Sequence, residues 1–279
     1  MMSFLQIKPT AGINIIIGNL EVASTHLPEQ GNGGEAEQEA FHSGAWCKPW
    51  RMVLVQGHQV TALDLTGCGA DPTRPEEIHS IHDYVRPLME KLESLPPHEK
   101  VVLVGHSFGG LCLSLAMEKF PDRVALAIFA TAFMPDLANP PSRLLLENLE
   151  RLRVEWSTDI RYDKGPMKPP STEFLASIMY QCSPPEDATL AATLMRPSFM
   201  FVEDLSNDDM LSMENYGSVN RAYIICKEDS VLKEDFQRWI IQNNPPKEVK
   251  EIDGADHMAM MSKPQELCQC LLEIAEKYA

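Results

Sequence analysis

From residue 57 onward, runs of consecutive apolar residues alternate with stretches in which apolar residues return every third or fourth place. "HQVTALDL" reads as a strand, and "EIHSIHDYVRPLMEKLESL" then carries Ile78, Ile81, Val85, Leu88, Met89 and Leu92 at helical spacing. The proline pair in "PPHEK" ends that helix. "VVLV" follows, apolar at every position as a strand covered on both faces should be, and "GLCLSLAMEKF" continues as a helix until Pro121. "VALAIFATAF" is another fully apolar strand. Strands alternating with helices predict an α/β fold, a mostly parallel sheet covered by helices with right-handed crossovers.

The alternation stops over residues 136–215, where proline, methionine and helix-like segments ("RLLLENLERLRVEW", "TEFLASIMYQC", "EDATLAATLM") accumulate. This stretch reads as an inserted helical cap with a short ribbon. The α/β pattern resumes with a strand in "RAYIICKED", a helix in "KEDFQRWIIQN", a strand and loop in "KEVKEIDGADH" and a terminal helix in "KPQELCQCLLEIAEKYA". The expected organisation is a divergent N-terminal segment (1–43), a core made of 44–135 and 216–279, and the cap (136–215). Residues 29–40, "EQGNGGEAEQEA", read as a polar linker or loop.

Composition narrows the classes. A chain of 279 residues, 44% hydrophobic, can bury a sizeable core, and no apolar run approaches the roughly 18 residues that a membrane span needs. A net charge of −16 argues against nucleic acid or anionic membranes as partners and leaves a small neutral molecule as the fitting one. The N-terminus lacks a charged region followed by a continuous apolar one, so a cytoplasmic location is expected. Seven scattered cysteines, without the paired spacing of a zinc site, read as buried thiols in a reducing compartment; no metal and no cofactor are expected.

Chemistry is concentrated in "VVLVGHSFGG". Gly105, Ser107 and Gly109 fit G-x-S-x-G directly between a strand and a helix, the sharp turn that lifts a nucleophilic serine out of the backbone. A hydroxyl needs a base, and the base needs an acid to hold its tautomer, in the chain order serine, acid, histidine. His79, His82 and His98 fall on or beside a polar helix, His58 precedes a strand, and His106 flanks the serine. His257, in "GADHMAM", follows a strand at the carboxyl edge of the sheet, where open α/β sheets place ligands. Asp229 ends another strand at that edge, with Glu228 and Asp256 as its rivals.

Together with "GHQVTALDL", "AFMPD", "YGSVNRAYIICKED", "FQRW" and "GADHMAM", these residues make the chain resemble the plant methylesterase branch of the α/β-hydrolase fold. That group also holds hydroxynitrile lyases, salicylate-binding esterases and polyneuridine aldehyde esterase. The resemblance implies a serine carboxylesterase acting on methyl esters of small plant acids of the jasmonate, salicylate or indole-acetate type. It carries the triad onto Ser107, Asp229 and His257, in agreement with the choice made from the residues. The family's lyases carry a lysine just after the catalytic histidine; here that place is taken by Met258, an apolar residue expected to wall the substrate pocket, so esterase is favoured over lyase. Nothing in the sequence requires or excludes a homodimer.

The departure lies upstream. Two backbone N–H groups must meet the developing oxyanion; one is that of Phe108, and the other falls by resemblance on Phe41 in "EAFHSGAWC", where Ser43 replaces the family's histidine. A polar linker precedes that motif where a first strand belongs. Either "INIII" at residues 13–17 fills the first-strand position and a long excursion follows, or the N-terminus is foreign to the fold and the sheet has a gap. Independently of the strand, the disrupted oxyanion turn gives the alternative reading, a weakly active or inactive small-molecule binding protein on a hydrolase scaffold.

Overall fold

A computed structural model describes residues 14–19, 59–156 and 166–278. Its centre is a six-stranded sheet: β1 (Asn14–Asn19), β2 (Gln59–Asp64), β3 (Val101–Ser107), β4 (Val124–Ala132), β5 (Arg221–Cys226) and β6 (Glu248–Ile252). The strands lie in the order β2-β1-β3-β4-β5-β6, and every pairing is parallel. β1 is central. Ile15 pairs with Val60 on one side and with Val102 on the other, so the first strand comes from the N-terminal segment and the gapped-sheet alternative does not hold.

The continuous apolar strands feed two cores, because alternate side chains point to opposite faces. Val101 and Leu103 of β3 join one cluster, with Ala127 and Phe129 of β4 and Tyr223 and Ile225 of β5. Val102, Val104, Ile128 and Ile224 join the other. The first face is covered by α1 (Ile81–Glu93), α2 (Gly109–Lys119) and, after the cap, α6 (Glu234–Asn243); the second by the C-terminal helix α8 (Pro264–Tyr278). Ser80 caps α1 by accepting from the Asp83 N–H at 3.1 Å, and this helix begins four residues later than its apolar spacing predicts because Pro75–Glu77 makes a separate 3-10 turn.

Between β4 and β5 the chain builds the cap. It contains α3 (Ser142–Trp156), α4 (Thr172–Phe174), which runs on as a π-helical turn over Leu175–Met179, and α5 (Pro185–Leu194). The expected ribbon is a single antiparallel bridge, Met167 to Ser198. The short helix α7 (Ala259–Ser262), just before α8, falls in a stretch to which the sequence pattern assigns no element, with Lys263 and Pro264 following closely. Among the described residues no helix is long and apolar enough to cross a membrane. The described cysteines are free thiols, and Cys182 departs from the expected burial by lying exposed on the cap.

Candidate active site

Ser107 is the last residue of β3 and adopts φ +53°, a left-handed conformation that a non-glycine residue takes only when its surroundings enforce it. Two glycines provide that enforcement. A Cβ on Gly105 would stand 2.8 Å from Leu113 Cδ1 and 2.9 Å from the Gly109 carbonyl group, so only a hydrogen there lets α2 pass β3. A Cβ on Gly110 would stand 2.2 Å from the Phe133 carbonyl oxygen, in the segment leaving β4. The second glycine of the closing pair is therefore as demanding as Gly105 of the motif, although the G-x-S-x-G pattern omits it.

Three strand ends converge on the serine. Ser107 Oγ lies 3.1 Å from His257 Nε2, and His257 Nδ1 lies 2.8 Å from Asp229 Oδ2. His257 and Asp229 are both buried. Asp229 is itself held on both oxygens: Oδ1 accepts from the N–H groups of Val231 and Leu232 at 2.7 and 2.9 Å, and Oδ2 also accepts from the Thr131 hydroxyl at the end of β4. With Nδ1–H donated to this carboxylate, the imidazole presents Nε2 as an acceptor to the serine hydroxyl, the arrangement that removes a proton from an attacking oxygen. The loops are tied together by main chain as well, since Glu228 N–H donates to the Ala255 carbonyl at 2.9 Å.

The rival acids stand elsewhere. Glu228 contributes its carbonyl to the Gln181 side-chain amide of the cap. Asp256 is fully buried, and its carboxylate accepts from Cys182 N–H, the Ser183 hydroxyl, Met258 N–H and the Ser262 hydroxyl. His106 plays a part that its place in the sequence does not announce. It is buried, its Nε2 lies 2.6 Å from the His257 carbonyl oxygen, and its ring centre lies 4.6 Å from that of His257. Desolvation first, and the neighbouring His257 second, hold its pKa well below the usual 6.5.

Phe108 occupies the N-cap position of α2, so its N–H stands at the positive end of that helix, beside Ser107. Its ring packs against Tyr84 and Phe201, at centroid distances of 6.0 and 6.4 Å. Phe201 has φ +48°, a second strained position near the site. Met258 is 3% exposed and packs among apolar residues of the sheet and cap, Val104 and Leu175 included. Phe41 lies outside the described residues, as does "HSGAW". No set of three or more His, Cys, Asp or Glu side chains that could hold a metal ion occurs among the described residues.

Residues 33–269 match the model of the alpha/beta hydrolase family. Methyl jasmonate esterase 1 of Vitis vinifera is 48% identical over 248 residues, which cover 85% of this chain and 94% of that protein. Salicylic acid-binding protein 2 of Nicotiana tabacum is 47% identical over 247 residues, 86% of this chain and 95% of the relative. Among solved structures, polyneuridine aldehyde esterase superposes with a TM-score of 0.80 at 36% identity, covering 95% of this chain and 99% of the other. The chain belongs to the alpha/beta hydrolase family and, within it, to the plant methylesterase branch.

Proposed function

We propose that the protein is a serine carboxylesterase that hydrolyses methyl esters of small acids, with Ser107 as nucleophile, His257 as general base and acid, and Asp229 as the group that orients the imidazole. The observation that carries this reading is the unbroken line of contacts from Ser107 Oγ through both nitrogens of His257 to Asp229. In the first half-reaction His257 Nε2 takes the hydroxyl proton as Oγ attacks the ester carbonyl carbon. The oxyanion forms against the Phe108 N–H and a second donor, assigned by family resemblance to Phe41. Collapse expels methanol, which leaves with the proton held on His257, and the acyl group stays on Ser107. Water then attacks, again with His257 taking its proton, and the free acid departs. The family resemblance assigns the apolar walls around the acyl part to the cap and Met258, whose side chain is nearly buried. Met258 offers no charge for a leaving cyanide, which disfavours the lyase reading.

Relatives named for methyl jasmonate hydrolysis and for salicylic acid binding make methyl jasmonate and methyl salicylate the first substrates to test. Purified protein should release methanol from one of them, and Ser107→Ala should lower kcat by about 10³-fold or more. Equal rates for the two proteins overturn the assignment. Binding of the free acid without turnover of any ester supports the scaffold alternative instead.

A further inference from the structure

Residues 181–183, the cap turn between the π-helical turn and α5, touch the flanks of both buried triad residues. Gln181 Nε2 lies 2.5 Å from the Glu228 carbonyl oxygen and 3.1 Å from Ser230 Oγ, the residues on either side of Asp229. The Cys182 N–H and the Ser183 hydroxyl donate, at 2.9 and 2.8 Å, to Oδ2 of Asp256, the residue before His257. The other oxygen of Asp256 accepts from Met258 N–H at 3.0 Å and Ser262 Oγ at 2.8 Å, across the loop that carries His257. Asp256 thus has 0% exposure and bonds in two directions, one oxygen to the cap and one to the core.

From this juxtaposition we infer that Asp256 and Gln181 are positioning residues, a clamp by which a seated cap holds His257 and Asp229 in register with Ser107. The chemistry of the groups favours it. A carboxylate that faces two backbone N–H groups and two hydroxyls can satisfy all four donors, whereas an amide in its place must turn its NH₂ toward one of the two N–H groups. Neither pair tolerates the exchange. The contacts also concern the cap rather than the packing of the core, since Gln181 is only partly buried and sits on the inserted segment. Without these contacts both loops lose a fixed partner, and the 3.1 Å contact between His257 and Ser107 is free to lengthen.

This inference rests on the proposed esterase reading for its consequence in catalysis, but not for its geometry, and the test separates the two. In Asp256→Asn and, as a variant on the cap that leaves the core intact, Gln181→Ala, kcat for the ester should fall by about tenfold to a hundredfold while KM changes by about twofold or less, the signature of misplacement rather than lost binding. Independently of turnover, proton NMR should show a far-downfield resonance for the His257 Nδ1–H bonded to Asp229 in the starting protein. That signal should broaden or vanish in both variants at temperatures where circular dichroism shows them folded. Unchanged kcat and an unchanged resonance in folded Gln181→Ala overturn the clamp. If the starting protein turns over no ester yet the resonance is lost in the variants, the clamp stands and the esterase reading falls.

Discussion

His106 lies on β3, the strand that ends in Ser107, and faces the loop that carries His257, and its proton inventory is fixed by that position. Because burial and the adjacent imidazole depress its pKa, the folded protein leaves His106 neutral at a pH where the unfolded chain protonates it. The contribution to stability is therefore complete above the usual histidine value of about 6.5 and is lost as pH falls below it, at no more than about 1.4 kcal/mol per pH unit. His106→Gln keeps an N–H donor for the His257 carbonyl but cannot titrate. Urea unfolding between about pH 7 and pH 5 should show a shallower loss of stability in this variant; equal slopes for the two proteins refute the assignment. Within "GHS", the strained turn at the serine was legible because G-x-S-x-G between a strand and a helix is a recognisable composition. The histidine beside it was not, because its function depends on a main-chain carbonyl 151 residues away.

At the scale of elements, the turn between β3 and α2 is set by what is missing from it. Gly110→Ala drives a methyl group onto the Phe133 carbonyl oxygen, where backbone rather than a flexible side chain must yield. The expected cost is about 1–3 kcal/mol in chemical denaturation, with a fall in activity because the helix must withdraw from Ser107; a variant as stable and active as the parent contradicts this account. The pattern of strands and helices was readable wherever the chain is buried on both faces, as in "VVLV", or amphipathic with 3.6-residue periodicity, as in α1. It failed at the π-helical turn over Leu175–Met179, where one extra residue per turn leaves the apolar spacing looking like ordinary helix, and at α7, four residues long and closed by a proline. Asp229 was separable from Glu228 and Asp256 only weakly in sequence. The structure divides the three by which loop atoms each one faces.

Over the whole molecule, the cap is fastened to the core at separate points. Arg196 donates to the Asp71 and Thr73 carbonyls, both at 2.7 Å, and Gln181, Cys182 and Ser183 reach the loops that carry Asp229 and His257. At the return of the chain to the sheet, the Glu118 carboxylate at the end of α2 accepts from Ser212, Asn215 and Tyr216, bonds that hold its pKa below the usual value against the opposing effect of burial. β1 binds the sheet itself together, and its amides at Ile15, Ile16 and Ile17 should exchange with solvent as slowly as those of β3, since a central strand opens only with the sheet. Rapid exchange at these three amides would detach the N-terminal strand from the fold. Its place between two later strands also sets a timetable. The strand leaves the ribosome first, but its neighbours follow about 45 and 87 residues later, so "NIIIGN" must wait, apolar and unpaired, until most of the first half of the core has been made. Parallel pairings at such separations are slow to form, and an unpaired apolar strand exposed over that interval is open to pairing with the wrong edge.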